Sequence, residues 1–218
     1  MLIASRQSFW NKALPYDSKV EWLETDGYSF IKSGILASSS VEFDIEMSGI
    51  WIRDSHIKIP IGYDDYYINS GRREKVFYFG NNSAGGSRID MLCGNSFIGG
   101  TYEWTSMRSM YSFHNFTLFK DGNMLYSPLE RQSFFGGGEI FLFSANVPNS
   151  GAGDVNKYCA TGFKIYSISI DDGNINLKLI PVRFTNENGN NEGAMFDTVS
   201  KALFRNSGTG NFIIGPDI

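Results

Sequence analysis

The residues best placed by type and spacing to do chemistry are Glu42, Asp44 and Glu46, within the run Glu42-Phe43-Asp44-Ile45-Glu46. On a β-strand, side chains at i, i+2 and i+4 project from one face. Three carboxylates in one row can divide the work of nucleophile, assistant and acid that a retaining glycosidase requires. The same alternation, with Val41, Phe43, Ile45 and Met47 between the acids, also describes an amphipathic strand with a solvated polar row. His56 and His114 could serve as bases, but there is no G-x-S-x-G elbow, and neither Cys93 nor Cys159 has a local nucleophile signature. No H-x-x-x-H pair exists, so no transition-metal site is assigned. Asp64-Asp65, Asp154 and Asp171-Asp172 fall in expected loops that can gather oxygens for calcium; without EF-hand spacing, calcium stays open and unassigned, and no other cofactor is expected. Two aromatic clusters, Tyr63-Asp64-Asp65-Tyr66-Tyr67 and Tyr102-Glu103-Trp104, combine rings that can stack on sugars with carboxylates that can bond hydroxyls. Tyr63, Asp65, Tyr66, Tyr67 and Trp104 are therefore the candidate carbohydrate-binding residues, set against the alternative that such rings fill the core.

The elements that must position these groups are strands. The chain has 218 residues, enough for one domain with a substantial core. Hydrophobic residues make up 42%, charged residues 19% and aromatics 15%; with 24 glycines this composition suits an all-β protein rich in turns. Residues 1–15 read as an arm, the only place where a helical turn is possible before Pro15, and residues 16–218 as one domain. Period-two alternation then dominates, with strands expected at Val20–Leu23, Ser29–Ile31, Val41–Met47, Thr101–Trp104, Phe116–Phe119, Phe163–Ile170, Ile175–Ile180 and elsewhere. Asp121-Gly122 and Asp172-Gly173 predict hairpin turns, because glycine accepts positive φ without strain. More than ten short strands without intervening helices mean a sandwich or barrel. Cys93 and Cys159 read as buried thiols. A net charge of −4 gives no basic field for nucleic acid. No run of eighteen apolar residues would insert in a membrane, and Ser5-Arg6-Gln7 interrupt any signal-peptide core.

Two resemblances add to this reading. The Glu42 row resembles the catalytic strand of laminarinase-type glucanases, which would make Glu42 the nucleophile, Asp44 the helper and Glu46 the general acid. The second resemblance covers residues 14–218 in outline. Val20-Glu21-Trp22-Leu23-Glu24-Thr25-Asp26-Gly27 with Phe30–Ile35, then Ile180-Pro181-Val182-Arg183, Met195–Ser200 and Asn206-Ser207-Gly208-Thr209-Gly210-Asn211-Phe212 before Gly215-Pro216-Asp217, resemble the opening and closing segments of the concanavalin A-like, LamG-type jelly-roll domains of gut Bacteroides and their phages. Asp26-Gly27-Tyr28 stands where that family commonly has Thr-Gly-Thr.

What this second resemblance implies is an all-β, concanavalin A-like jelly-roll sandwich of antiparallel strands with a short N-terminal arm. It implies a non-enzymatic, lectin-like binding or decoration module on a bacteriophage virion, made in the host cytoplasm and contacting bacterial surface glycans. Phe9 and Trp10 on the arm would dock to other virion proteins or drive homo-oligomerisation, a trimer being compatible. The alternatives are an endo-glucanase using Glu42, Asp44 and Glu46, and a purely structural capsid or tail cementing protein.

Overall fold

The computed structural model describes residues 14–49, 58–65, 75–81, 88–126, 133–135, 137–148 and 158–218, without side-chain placement for 88 and 98–103. Its strands form two sheets. The larger runs in the order β11 (Asn123–Met124), β10 (Thr117–Lys120), β9 (Ser109–His114), β4 (Glu42–Gly49), β14 (Phe163–Asp171), β15 (Asn176–Thr185), β16 (Asn191–Asp197) and β17 (Leu203–Phe204). On this path β1 (Ser18–Lys19) also pairs β15, while β2 (Leu23–Glu24) bridges β14 and β18 (Ile213–Ile214). The smaller sheet runs β3 (Ile31–Leu36), β12 (Glu139–Leu142), β5 (Lys58–Tyr63), β6 (Phe77–Asn81), β7 (Arg88–Cys93) and β8 (Ser96–Glu103). Pairing is antiparallel except that β13 (Ala145–Asn146) adds to β5 in parallel. The protein is thus an all-β sandwich of two antiparallel sheets. Among the described residues there is no helix long and apolar enough to cross a membrane.

Alternation decides what faces what. On β4, Phe43, Ile45 and Met47 are buried and the acids between them lie outward. Phe43 meets Phe79 of the opposite sheet at 5.2 Å between ring centres and Phe77 at 6.2 Å, so the core is an interdigitated aromatic layer between the sheets. At β5 and β6 the smaller sheet is buried on both faces. Phe77 and Phe79 point into the main core, while Ile59, Tyr78 and Leu92 pack with Ala145, Val147 and Tyr158. Cys93 and Cys159 are both buried thiols; burial pushes them up to about 12 and about 11.

Two expectations shift in detail. The predicted strand Val20–Leu23 is split, since Val20 makes only an isolated bridge to Asp217 between β1 and β2. Residues 19–20 and 217–218 run side by side there, with Ile218 N–H donating to Lys19 O at 3.1 Å and Arg183 bridging to Asp217 at 2.8 Å. Phe116 belongs to a turn, not to the strand. His114 faces Thr117, and the two residues between, Asn115 (φ 49°) and Phe116 (φ 62°), turn the chain with positive φ at both positions. The Asp121-Gly122 turn has the form expected of its sequence, with φ of 50° and 76°.

Candidate functional site

The outer face of the larger sheet is a grid set by strand register. Asp44 on β4 faces Ser112 on β9 and Ser169 on β14, and Ser169 faces Lys178 on β15. One step along, Glu46 faces Met110 and Ser167; in the other direction Glu42 faces Asp171, which faces Asn176. The strand alternation therefore does bring the three acids to one face, as expected. A bulge between Ile165 and Ser167 adds Tyr166 to that face, where its hydroxyl lies 3.0 Å from Ser48 Oγ and its ring lies under Arg108 at 4.1 Å.

Each acid has partners from β9 and its flanks. Arg108 donates to Glu46 in a two-point contact, Nε to Oε1 at 2.6 Å and Nη2 to Oε2 at 2.9 Å. The Asn115 N–H donates to Glu42 Oε1 at 2.9 Å. His114 lies between two carboxylates, Nδ1 at 2.9 Å from Glu42 Oε2 and Nε2 at 2.9 Å from Asp44 Oδ1. Only the imidazolium donates from both nitrogens at once. Burial works against that charge, but the hydrogen bonds and charges of Glu42 and Asp44 outweigh it and raise the His114 pKa above its ordinary 6.5. Both oxygens of Glu42 and of Glu46 are thus engaged, and the second oxygen of Asp44 is the one left facing outward.

That oxygen borders a shallow concavity of about 350 Å³ lined by Asp44, Met110, Ser167, Ser169, Lys178, Ile180 and Thr198. The Lys178 ammonium and the two serine hydroxyls have no bonding partner among the described residues. Lys178 is held by its backbone. Its N–H donates to Asp197 Oδ1 at 2.9 Å, and its carbonyl accepts from Thr198 N–H and Oγ. Asp197 is buried and also accepts from the N–H groups of Val199 and Ser200. Burial would raise its pKa, but these hydrogen bonds and that of the Ser200 side chain hold the carboxylate below the usual range. The other half of this face is apolar. Val182, Phe184, Ala194 and Phe196 form a cluster there, and Tyr16 covers it with its ring 4.9 Å from that of Phe196.

The aromatic candidates are placed differently from the expectation. Trp104 is 8% exposed and sits among Phe79, Tyr111 and Phe163 at 5.3, 5.5 and 4.9 Å, so it is a core ring and not a platform for a sugar. Tyr63 is 5% exposed and lies so close to Gly138 that a Cβ there would stand 2.2 Å from the ring. Asp65 is 1% exposed, with Oδ2 accepting the Lys75 N–H at 3.0 Å. The reason is common to all three: in a chain with this much aromatic surface, the rings contribute more by leaving water than by facing it. Tyr66, Tyr67, His56, Phe9, Trp10 and Asp154 lie outside the described residues. Among the described residues no group of three or more His, Cys, Asp or Glu side chains is arranged to hold a metal ion. Asp171 and Asp172 bind their own turn, accepting from Gly173, Asn174 and Ile175 N–H groups. Sequence reasoning missed the participation of Arg108, Ser167, Ser169, Lys178 and Thr198; the outward positions of the Phe163–Ile170 and Ile175–Ile180 alternations were the signal available for Ser167, Ser169 and Lys178. No protein-family model matches the chain, and no curated protein matches it.

Proposed function

We propose that this protein is a non-enzymatic, lectin-like binding or decoration module of a bacteriophage virion, with a jelly-roll strand order, and that the outer face of its larger sheet contacts glycans of a bacterial surface. The observation that carries the reading is the concavity beside Asp44. It offers an acceptor (Asp44), a cation (Lys178) and hydroxyls (Ser167, Ser169) around the apolar side chains of Met110 and Ile180. Such a mixture of hydrogen-bonding groups and apolar surface suits a sugar chain lying across an open face. The engagement of both oxygens of Glu42 and of Glu46 supports a binding role over glycoside hydrolysis, which needs a carboxyl free to protonate the leaving oxygen and another free to attack.

The test is a glycan array followed by titration of the best polysaccharide against the protein and its Lys178→Gln and Ser169→Ala variants. Specific binding that weakens at least tenfold in either variant is the expected result. Release of reducing ends from β-glucans, lost in Glu42→Gln, would replace this reading with the glucanase one. Absence of glycan binding together with tight attachment to a virion protein would replace it with a cementing role.

A further inference from the structure

The closing motif Asn206–Phe212 and the opening Asp26-Gly27-Tyr28 have no part in the sheet-face site, yet they are built against each other. Asp26 Oδ1 accepts from Tyr28 N–H at 2.9 Å and Ser29 Oγ at 3.0 Å, and its Oδ2 accepts from Asn211 N–H at 2.7 Å. Burial would raise the Asp26 pKa, but these donors hold it below the usual carboxylate range. Asn206 Oδ1 accepts from Phe30 and Gly208 N–H groups at 3.1 and 2.9 Å, and its Nδ2 donates to Gly210 O at 2.6 Å. The two glycines are required by contact. A Cβ at Gly208 would stand 1.9 Å from Tyr28 O, and one at Gly210 2.3 Å from the Asp26 carboxylate oxygens. The loop is therefore fixed by groups 185 residues away, a degree of bracing that closing a turn alone does not need.

This braced loop forms one wall of a cavity of about 240 Å³, more enclosed than the sheet-face concavity; Asn191, Glu192 and Gly193 form another, and Phe212 lies between. Phe212 is itself anchored, with its ring 4.7 Å from that of Phe143. The polar atoms at the rim are not all spent. The Asn211 side-chain amide has no bonding partner among the described residues. Asn191 uses Oδ1 for Arg183 and Thr185 and leaves its NH₂.

We infer that this cavity is a second binding site, distinct from the sheet face, which takes a single neutral pyranose ring or a polyol of that size. The volume is below the range of roughly 300–1,000 Å³ typical of drug-sized ligands, which suits one ring and not a chain. The Asn211 amide, which both donates and accepts, and the Asn191 NH₂, which donates, match adjacent hydroxyls, which also do both. Among the described residues that line the cavity there is no lysine or arginine to draw an anion. Rigid bracing of the loop reduces the ordering cost of binding. The assignment stands apart from the sheet-face reading and survives its failure.

The experiment is an amide-resolved NMR titration of the full chain with a panel of neutral methyl pyranosides, repeated on Asn211→Ala and Asn191→Ala. Neither substitution removes a backbone contact of the loop, and unchanged spectra away from the site verify folding. The expected result is saturable shifts at Gly193, Gly210 and Phe212 for at least one pyranoside, with affinity at least tenfold weaker in one variant. Three results would overturn the inference: no saturable shift with any pyranoside, shifts that map to Ser169 and Lys178 instead, or unaltered affinity in both variants.

Discussion

His114 is the residue whose chemistry is most constrained. With a carboxylate oxygen 2.9 Å from each ring nitrogen, the neutral ring would have to point a lone pair at one of them. The charged groups that surround it are Glu42 and Asp44 on β4 and, one strand further, Asp171, which faces Glu42. Because the folded pKa is raised, the stabilisation is complete below the unfolded value of about 6.5 and is lost as pH rises through the folded value. Thermal melts across that range should show wild type more stable than His114→Gln at the acid end and the two converging at the alkaline end. A gap that widens with pH would refute the bridging arrangement. Asp197 has the opposite sign. Its pKa is lowered, so its contribution is present above the ordinary carboxylate value and is lost as pH falls through the lowered one. Asp197→Ala leaves the buried N–H of Lys178 without its acceptor, and urea titration should show a cost of about 1–3 kcal/mol.

At the scale of elements, turns separate what the sequence discloses from what it hides. Asp121-Gly122 is legible because glycine makes positive φ cheap, and the hairpin between β10 and β11 has the predicted two-residue loop. Asn115-Phe116 adopts the same kind of turn with no glycine to announce it; Phe116 is held there by packing beside Phe113, at 6.3 Å. A similar position is Lys201, with φ of 64° in the turn between β16 and β17. Lys201→Gly should relieve that conformation and raise stability by up to about 1 kcal/mol, measured by urea unfolding. The alternation of 41–47 gave β4 and its acidic row, since period two is a local property. The partners of that row were not legible. Arg108 and His114 come from positions 62 and 72 residues distant from Glu46 and Glu42, and only strand register brings them together. The burial of Trp104 and Tyr63 was not legible either, because an aromatic side chain carries the same signal whether it fills a core or faces a ligand.

For the whole molecule, the sandwich is held by a main cluster that reaches from Val20 to Phe212 and includes both sheets. Phe43 touches rings of the opposite sheet and of its own, so Phe43→Ala should cost about 3–5 kcal/mol. Since that cluster includes aromatic rings of both sheets, near-ultraviolet and far-ultraviolet circular dichroism should report one shared transition in both proteins. Separate transitions would mean that the sheets unfold independently. The side-by-side course of Lys19 and Ile218 has an engineering corollary. A short peptide joining Ile218 to the residues just before β1, with new termini opened in the exposed Gly173–Asn174 loop, would give a circular permutant that retains every strand pairing, so the order in which the chain is synthesised is separable from the architecture it reaches.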